Sequence, residues 1–318
     1  SCISGIFASG LVELLVDRNR KASKTTNLEF DLMGNRFDYL FCTLADFERL
    51  KLTNLSGDYI LSNSGSGDTL IVQNGHGNNL CASSACQGYI QTIYLSNWQG
   101  DYVASGVADE GKIGSLLLTN ITGDNCGFSS PRGGNAQNIF LNNVAGYNIG
   151  YEVGSESYVK NLVISNCIGD TIGGNAGGGE EEDGKKGVID NLFLIANSYE
   201  EGDSDSYSYY ERRRINNLLL ELGDGDFKAY DFDSLGSKGT RILVVDCASH
   251  KSLPRVKAKK LIFGGLQENQ KISQKIQREM NYHAVKQIIA ALDTKTPEEV
   301  IALTEKLLPY SDEYCREE

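Results

Sequence analysis

The chain has 318 residues, with 30 Lys and Arg against 42 Asp and Glu for a formal charge of −12, and 35 Gly beside only 4 Pro. A hydrophobic content of 40 % excludes a disordered chain, and no apolar run approaches the roughly 18 residues that a membrane helix needs. The acidic balance argues against nucleic acid or an anionic membrane surface as the main partner.

Residues 1–26 open as SCISGIFASGLVELLVDRNRK. The stretch lacks the signal-peptide order of a basic region, an apolar core and a small-residue cleavage site. It reads as an amphipathic helix with Ile6, Leu11, Leu14 and Leu15 as its apolar residues, placed to plug the end of whatever follows. The eight cysteines, at 2, 42, 81, 86, 126, 167, 247 and 315, form no CxxC pair and no zinc spacing. They read as buried thiols in a reducing, cytoplasmic compartment, with a cleaved secreted form as the alternative.

Residues 27–267 repeat. Short apolar runs read TLIVQN at 69, TIYLSN at 92, SLLLTN at 115, NIFLNN at 138 and NLVISN at 161, their starts 23 residues apart. Further copies stand at 27, 49, 191, 217, 241 and 260, about ten coils in all. Counting from the first letter of each run, positions 2 and 4 are aliphatic, as in Leu116 and Leu118. Positions 12 and 22 are also apolar, as in Val103 and Ile113. Three apolar stretches per unit predict three short strands per coil. Stacked about 4.8 Å apart, they give an all-β chain, a right-handed parallel β-helix.

Position 6 carries Asn54, Asn74, Asn97, Asn120, Asn143 and Asn166. Sharing a face with positions 2 and 4, these side chains are expected to point inward and hydrogen-bond coil to coil. The line resembles the asparagine ladders of right-handed β-helices of the pectate-lyase-like superfamily, and the resemblance, over residues 27–267, implies that fold. Gly75-His76-Gly77 resembles the GHG triplet of polygalacturonases within it. The other motifs of that family have no counterpart here, so no role carries over.

Position 10 follows a glycine in Gly57-Asp58, Gly100-Asp101 and Gly123-Asp124. Carboxylates on adjacent coils, about 5 Å apart, match the spacing of a retaining glycosidase pair, making Asp101 and Asp124 the alternative catalytic residues. Stacked carboxylates also suit Ca²⁺, the one cofactor the sequence suggests. The competing reading is that Gly-Asp is the turn chemistry each coil needs.

Position 3 should face outward yet is apolar: Ile71, Tyr94, Leu117, Phe140, Val163, Phe193, Leu219, Leu243 and Ile262. Such a stripe demands a cover. Tyr94, Leu117, Phe140, Val163, Phe193 and Leu219 are accordingly an expected interface, with a protein partner, with a second subunit or with the chain's own tail. Two insertions break the period, GGNAGGGEEEDGKKG at 173–187 and SYEEGDSDSYSYYERRR at 198–214. Both fall in the same turn, and Tyr207, Tyr209, Tyr210, Arg212, Arg213 and Arg214 make the second the expected binding site.

Residues 268–318 turn helical. Ile272, Ile276, Met280, Ala284, Ile288 and Leu292 recur every fourth residue, predicting one helix over 268–293. A second starts at Thr296-Pro297-Glu298-Glu299. The first, if continuous, is about 39 Å long, and nine stacked strands span about 38 Å, so the tail is expected to fold back along the stripe. This layout resembles the β-helix scaffold proteins of the sulfur-mobilisation iron–sulfur assembly system, which end in partner-docking helices. Two functions follow: a non-catalytic β-helix scaffold presenting its loops and apolar face, or a carbohydrate-active hydrolase or lyase working beside the Asp58, Asp101 and Asp124 line.

Overall fold

A computed structural model describes residues 2–169, 171–174, 176–177, 187–199, 214–221, 241–245, 260–263, 275 and 277–307. Helix α1, Cys2–Lys21, precedes strands β1 Asn27–Arg36, β2 Asp46–Ser56, β3 Ser66–His76, β4 Tyr89–Gln99, β5 Lys112–Thr122, β6 Asn135–Ala145 and β7 Tyr158–Ser165. Then come β8 Ile168–Gly169, β9 Val188–Ile195, β10 Ser198–Tyr199, β11 Arg214–Glu221, β12 Arg241–Val245 and β13 Lys260–Phe263. Helices α2, Tyr282–Thr294, and α3, Pro297–Glu305, close the described chain. The strands form one sheet in the order β1-β2-β3-β4-β5-β6-β7-β9-β11-β12-β13, and every pairing is parallel. This is a parallel β-solenoid of about 23 residues per turn, with about six turns described without a break from β1 to β7 and with β9, β11, β12 and β13 continuing the same stack.

The expected three strands per coil are revised. Each coil of the regular region holds one strand, bent twice. Pairing skips Gln91 and Gly114, where the strand bends between its position-22 and position-2 residues. It bends again at the asparagine of position 6. A one-residue bend is enough to turn the chain, so the two flanking stretches stay in one ladder. The position-12 stretch lies in an arc of consecutive tight turns.

In the arc of residues 101–111, Tyr102, Ala104, Gly106, Ala108 and Glu110 all take left-handed φ values between 52° and 66°. Their N–H groups donate alternately to the next coil (Asp124, Phe128 and Arg132 carbonyls) and the previous one (Leu80 and Ser84 carbonyls), at 2.7–2.8 Å. Alternating hands cost conformational energy at non-glycine residues, but they give each N–H an acceptor in a neighbouring coil, and Val103 and Val107 fill the interior.

The asparagine expectation is corrected in direction. Asn54, Asn74, Asn97, Asn120, Asn143 and Asn166 are left-handed, with φ of 51–60°. Inserting such a residue breaks the two-residue alternation. The side chain therefore swings outward, and position 7 turns in: Leu55, Trp98, Ile121 and Val144 are buried in the core. Asn is the non-glycine residue that best tolerates this conformation. Trp98 fits because the coil below carries Gly75, where a Cβ would stand 2.4 Å from the indole. Its Nε1–H donates to the Gly77 carbonyl at 2.8 Å.

At the N-terminal end α1 packs on the first coil with a face other than the expected one. Gly5, Ser9, Val12 and Val16 are its buried residues, whereas Ile6, Leu11 and Leu14 are exposed. The small face wins because the helix lies close on the backbone: a Cβ at Gly5 would meet the Tyr39 carbonyl oxygen at 1.7 Å. Ser9 Oγ donates to the Cys42 carbonyl at 3.0 Å, and Glu13 accepts the Ala45 N–H at 2.7 Å.

The position-3 stripe runs in perfect register: Ile71 pairs with Tyr94, then Leu117, Phe140, Val163, Phe193, Leu219, Leu243 and Ile262. From Ile71 to Phe193 it is buried in a second core with Met280, Val285, Ile288, Ile289, Leu292, Val300 and Ile301. The expected single helix of 268–293 is interrupted where Asn281 adopts φ 57°, while its part before residue 275 lies outside the described residues. α3 starts as read: Thr296 and Glu299 form a reciprocal capping box and Pro297 takes the first turn. Arg49 and Lys51 on β2 reach Glu298 at 2.7 and 3.2 Å, and Asn142 on β6 donates to Asp293 at 2.8 Å. Moving along the tail from Asp293 to Glu298 thus means moving from the sixth strand to the second, back toward the start of the solenoid.

Candidate functional site

The exposed corner between strand and arc is the one expected to carry chemistry. It lines up position 6, then His76, Gln99 and Thr122 at position 8, then the position-10 residues and Tyr59 and Tyr102 at position 11. The asparagines form a continuous outer ladder. Each side-chain N–H donates to the Oδ1 one coil back: Asn74 to Asn54, Asn97 to Asn74, Asn120 to Asn97 and Asn143 to Asn120, at 2.6–3.3 Å. The ladder starts on Asp31, which accepts from Asn54 at 3.0 Å. The Met33 N–H and this amide hold the Asp31 carboxyl below the ordinary aspartate range.

The position-10 line is a second ladder with a different partner. Asp38 accepts the backbone N–H of Asp58, Asp58 that of Asn78, Asn78 that of Asp101, Asp101 that of Asp124 and Asp124 that of Tyr147, all at 2.8–3.0 Å. The Asp58 N–H bond accordingly holds the Asp38 carboxyl below its usual range. Asn78 performs the same task through an amide oxygen. The position therefore asks for an acceptor, not a charge. The two residues offered as a catalytic pair, Asp101 and Asp124, each spend one carboxylate oxygen on the turn of the next coil. Among the described residues no group of three or more His, Cys, Asp or Glu side chains is placed to hold a metal ion.

Tyr59, Tyr102 and Tyr147 are exposed along this corner, and Tyr39 stacks on Tyr59 with ring centroids 5.0 Å apart. His76 lies exposed at position 8. Residues 200–213 of the second insertion, with Tyr207, Tyr209, Tyr210, Arg212 and Arg213, lie outside the described residues. Arg214 opens β11, and its backbone pairs with Val188. Of the expected interface, Tyr94, Leu117, Phe140, Val163 and Phe193 are buried beneath the chain's own helices, and of Leu219 the backbone alone is described.

Two features of the structure have no counterpart among the sequence expectations. Positions 1 and 5, which flank the covered stripe, carry buried polar ladders. Asn138 donates to Ser115, Asn161 to Asn138 and Asn191 to Asn161, while Asn142 donates to Thr119 and accepts from Ser165. The repeated initial Asn of NIFLNN, NLVISN and NLFLIA is their signal in the sequence. The other is Cys2, exposed on α1, with its Sγ 4.0 Å from that of buried Cys42. Cys81, Cys126 and Cys167 are buried free thiols, and burial pushes the last two up to about 12. Cys247 and Cys315 lie outside the described residues.

No protein-family model, curated protein or solved structure matches this chain. No helix among the described residues is long and apolar enough to cross a membrane.

Proposed function

We propose that this protein is a non-catalytic β-helix scaffold that binds a protein partner through the loop edge at 173–187 and 198–214. The observation that supports this is the self-consumption of the regular faces. Position 6 hydrogen-bonds to position 6 of the neighbouring coil, position 10 caps the turn of the next, and the stripe is filled by the tail. What the repeat does not use lies in its insertions, where the sequence brings Tyr207, Tyr209 and Tyr210, residue types suited to stacking, close to Arg212, Arg213 and Arg214. Membership of the pectate-lyase-like superfamily belongs to the same proposal, supported by the parallel solenoid and its asparagine ladder.

The test compares three chains: the full chain, one with all six loop residues replaced by Ser, and one with Asp101→Asn and Asp124→Asn. Each is used for affinity capture with quantitative mass spectrometry and is incubated with neutral and acidic polysaccharides. The scaffold reading expects a set of proteins lost only from the loop variant, with no new reducing ends or unsaturated sugars. Sugar products that disappear with the Asp101/Asp124 variant establish the carbohydrate-active reading instead. Identical capture by all three chains removes the loop edge as the binding site.

A further inference from the structure

Position 11 is an outward line of the regular coils that the repeat fills in two ways. From the first coil to the sixth it reads Tyr39, Tyr59, Asn79, Tyr102, Asn125 and Asn148, all left-handed with φ of 54–63°. Asparagine does there what it does at position 6: Asn148 donates to Asn125 Oδ1 at 3.0 Å. Tyr102 breaks that ladder between Asn79 and Asn125, and tyrosine lacks the short polar side chain that makes the left-handed region inexpensive for asparagine. Tyr59 and Tyr102 are 42 and 46 % exposed, and Tyr147, one position earlier on the sixth coil, is 45 % exposed. Neither the ladder nor the core requires these three rings.

The backbone sets the rings at a fixed spacing. The N–H groups of Tyr59, Asn79, Tyr102 and Asn125 each donate to the position-10 carbonyl of the next coil at 2.8–2.9 Å, so successive position-11 residues stand one strand spacing apart, about 4.8 Å. Tyr59, Tyr102 and Tyr147 occupy alternate coils, about 9.6 Å apart, with the half-buried Asn79 and Asn125 between them. The corner therefore alternates ring and hollow. A polyproline II helix turns once in three residues and rises about 9.3 Å as it does so. A residue repeated at every third position of such a helix keeps step with the hollows to about 0.3 Å per turn. An extended strand repeats its side chains every ~6.6 Å and an α-helix has a pitch of about 5.4 Å, so both fall out of phase. All three rings carry a hydroxyl, which suits the carbonyls of a helix that makes no internal hydrogen bonds.

The charge beside the hollows narrows the ligand further. Asp101 and Asp124 each give Oδ1 to the turn of the next coil, and no Lys or Arg among the described residues pairs with either carboxylate. On a chain of charge −12 this line favours a basic segment. The chain does not supply one itself: its four prolines, Pro131, Pro254, Pro297 and Pro309, stand alone, none within a polyproline turn of another. We propose that the corner formed by Tyr59, Tyr102 and Tyr147 binds a basic, proline-rich segment of another protein as a polyproline II helix, with prolines three residues apart entering the hollows over Asn79 and Asn125. This site is separate from the insertion loops.

Fluorescence anisotropy of the full chain with a labelled peptide, three Pro-Pro-Ala repeats flanked by arginines, tests it. Saturable binding is expected, and the same peptide with Gly in place of each Pro should bind at least tenfold more weakly. Tyr102→Asn supplies the ladder's own residue, so it should leave the thermal midpoint unchanged or higher while weakening the proline peptide at least tenfold. Asp101→Asn with Asp124→Asn should weaken it about threefold and flatten its salt dependence. The chain with six loop residues replaced by Ser should bind the peptide as the full chain does, which keeps this site distinct from the loop edge. No saturation at millimolar peptide, equal affinity for the glycine peptide, or an affinity indifferent to Tyr102→Asn overturns the inference. So does a neutral polysaccharide that binds through Tyr102 where the peptide does not.

Discussion

Asp101 offers a direct measurement of what a position-10 carboxylate does. Its Oδ1 accepts the Asp124 N–H at 3.0 Å, and its own N–H is held by Asn78 at 2.9 Å. Asp101→Ala removes one link of the ladder and orphans one backbone donor near the surface. Water reaches that donor, so the loss is the net value of one hydrogen bond, about 1 kcal/mol. The double variant Asp101→Ala/Asp124→Ala also frees the Tyr147 N–H and should cost about 2 kcal/mol, because the two links act on different turns. Asp101→Asn should cost nothing measurable, since Asn78 already fills this role with an amide oxygen. Urea denaturation followed by circular dichroism reads these differences as shifts of midpoint at constant slope. If Asp101→Asn destabilised the chain as much as Asp101→Ala, the charge itself would matter and the acceptor argument would fail.

Asn120 donates to Asn97 and accepts from Asn143 at a left-handed corner. Asn120→Gly keeps the corner and loses the ladder, about 1 kcal/mol. Asn120→Ala adds roughly 1 kcal/mol of backbone cost, so glycine should outperform alanine in thermal melts, the reverse of their usual order in a strand. Phe140→Ala empties a fully buried site between sheet and tail and should cost about 3–5 kcal/mol, with faster amide exchange in α2. Glu298 is drawn upward by burial, but its own backbone N–H and the Lys51 and Arg49 charges prevail and hold its carboxyl below the ordinary glutamate range. Its contribution is therefore complete above the unfolded pKa of about 4.3 and is lost as pH falls through the lower folded value. Glu298→Gln should flatten that acid limb of stability while costing under about 1 kcal/mol at neutral pH, as for a half-exposed pair. Mild oxidation should join Cys2 to Cys42, seen as a loss of about 2 Da, two hydrogens, in the intact mass. Closing a loop with 40 residues of separation stabilises by about 4 kcal/mol. Burial pushes the Cys42 thiol up, so the bond should form faster as pH rises. An unchanged mass at alkaline pH removes the prediction.

The solenoid, its parallel register and the covered stripe were legible because translation by one coil repeats the same side chain, and nine apolar residues in line on an outward position require a cover. The direction of the asparagines was not. Period-two reasoning assumes an unbroken strand, and Asn97 or Asn120 in the left-handed region reverses the parity beyond it. The same cause hid Trp98 and Ile121 as core residues. For α1 the error was one of size: hydrophobicity picked Leu11 and Leu14, whereas close packing selected Gly5 and Ser9. The break at Asn281 inside a four-residue apolar rhythm carried no proline or glycine to announce it.

A ladder resists functional reading because each side chain has a sufficient reason in its neighbours. The informative places are those where the translation fails. Tyr147 ends the position-10 line, and Asn166 leaves the outer ladder to donate to Asn142 at 2.9 Å. One residue on, the Cys167 N–H is accepted by Asn197, across a sequence separation of 30 rather than 23. These departures cluster at the coil that carries the first insertion and the one before it. A substitution in coils two to five perturbs copies of a structural device, whereas the interval from 147 to 197 also holds positions, among them Tyr147, Asn166 and Asn197, that the repeat does not dictate. Ligand searches by scanning mutagenesis should therefore weight that interval and the corner tyrosines, and read loss of binding against the stability cost already assigned to each ladder position.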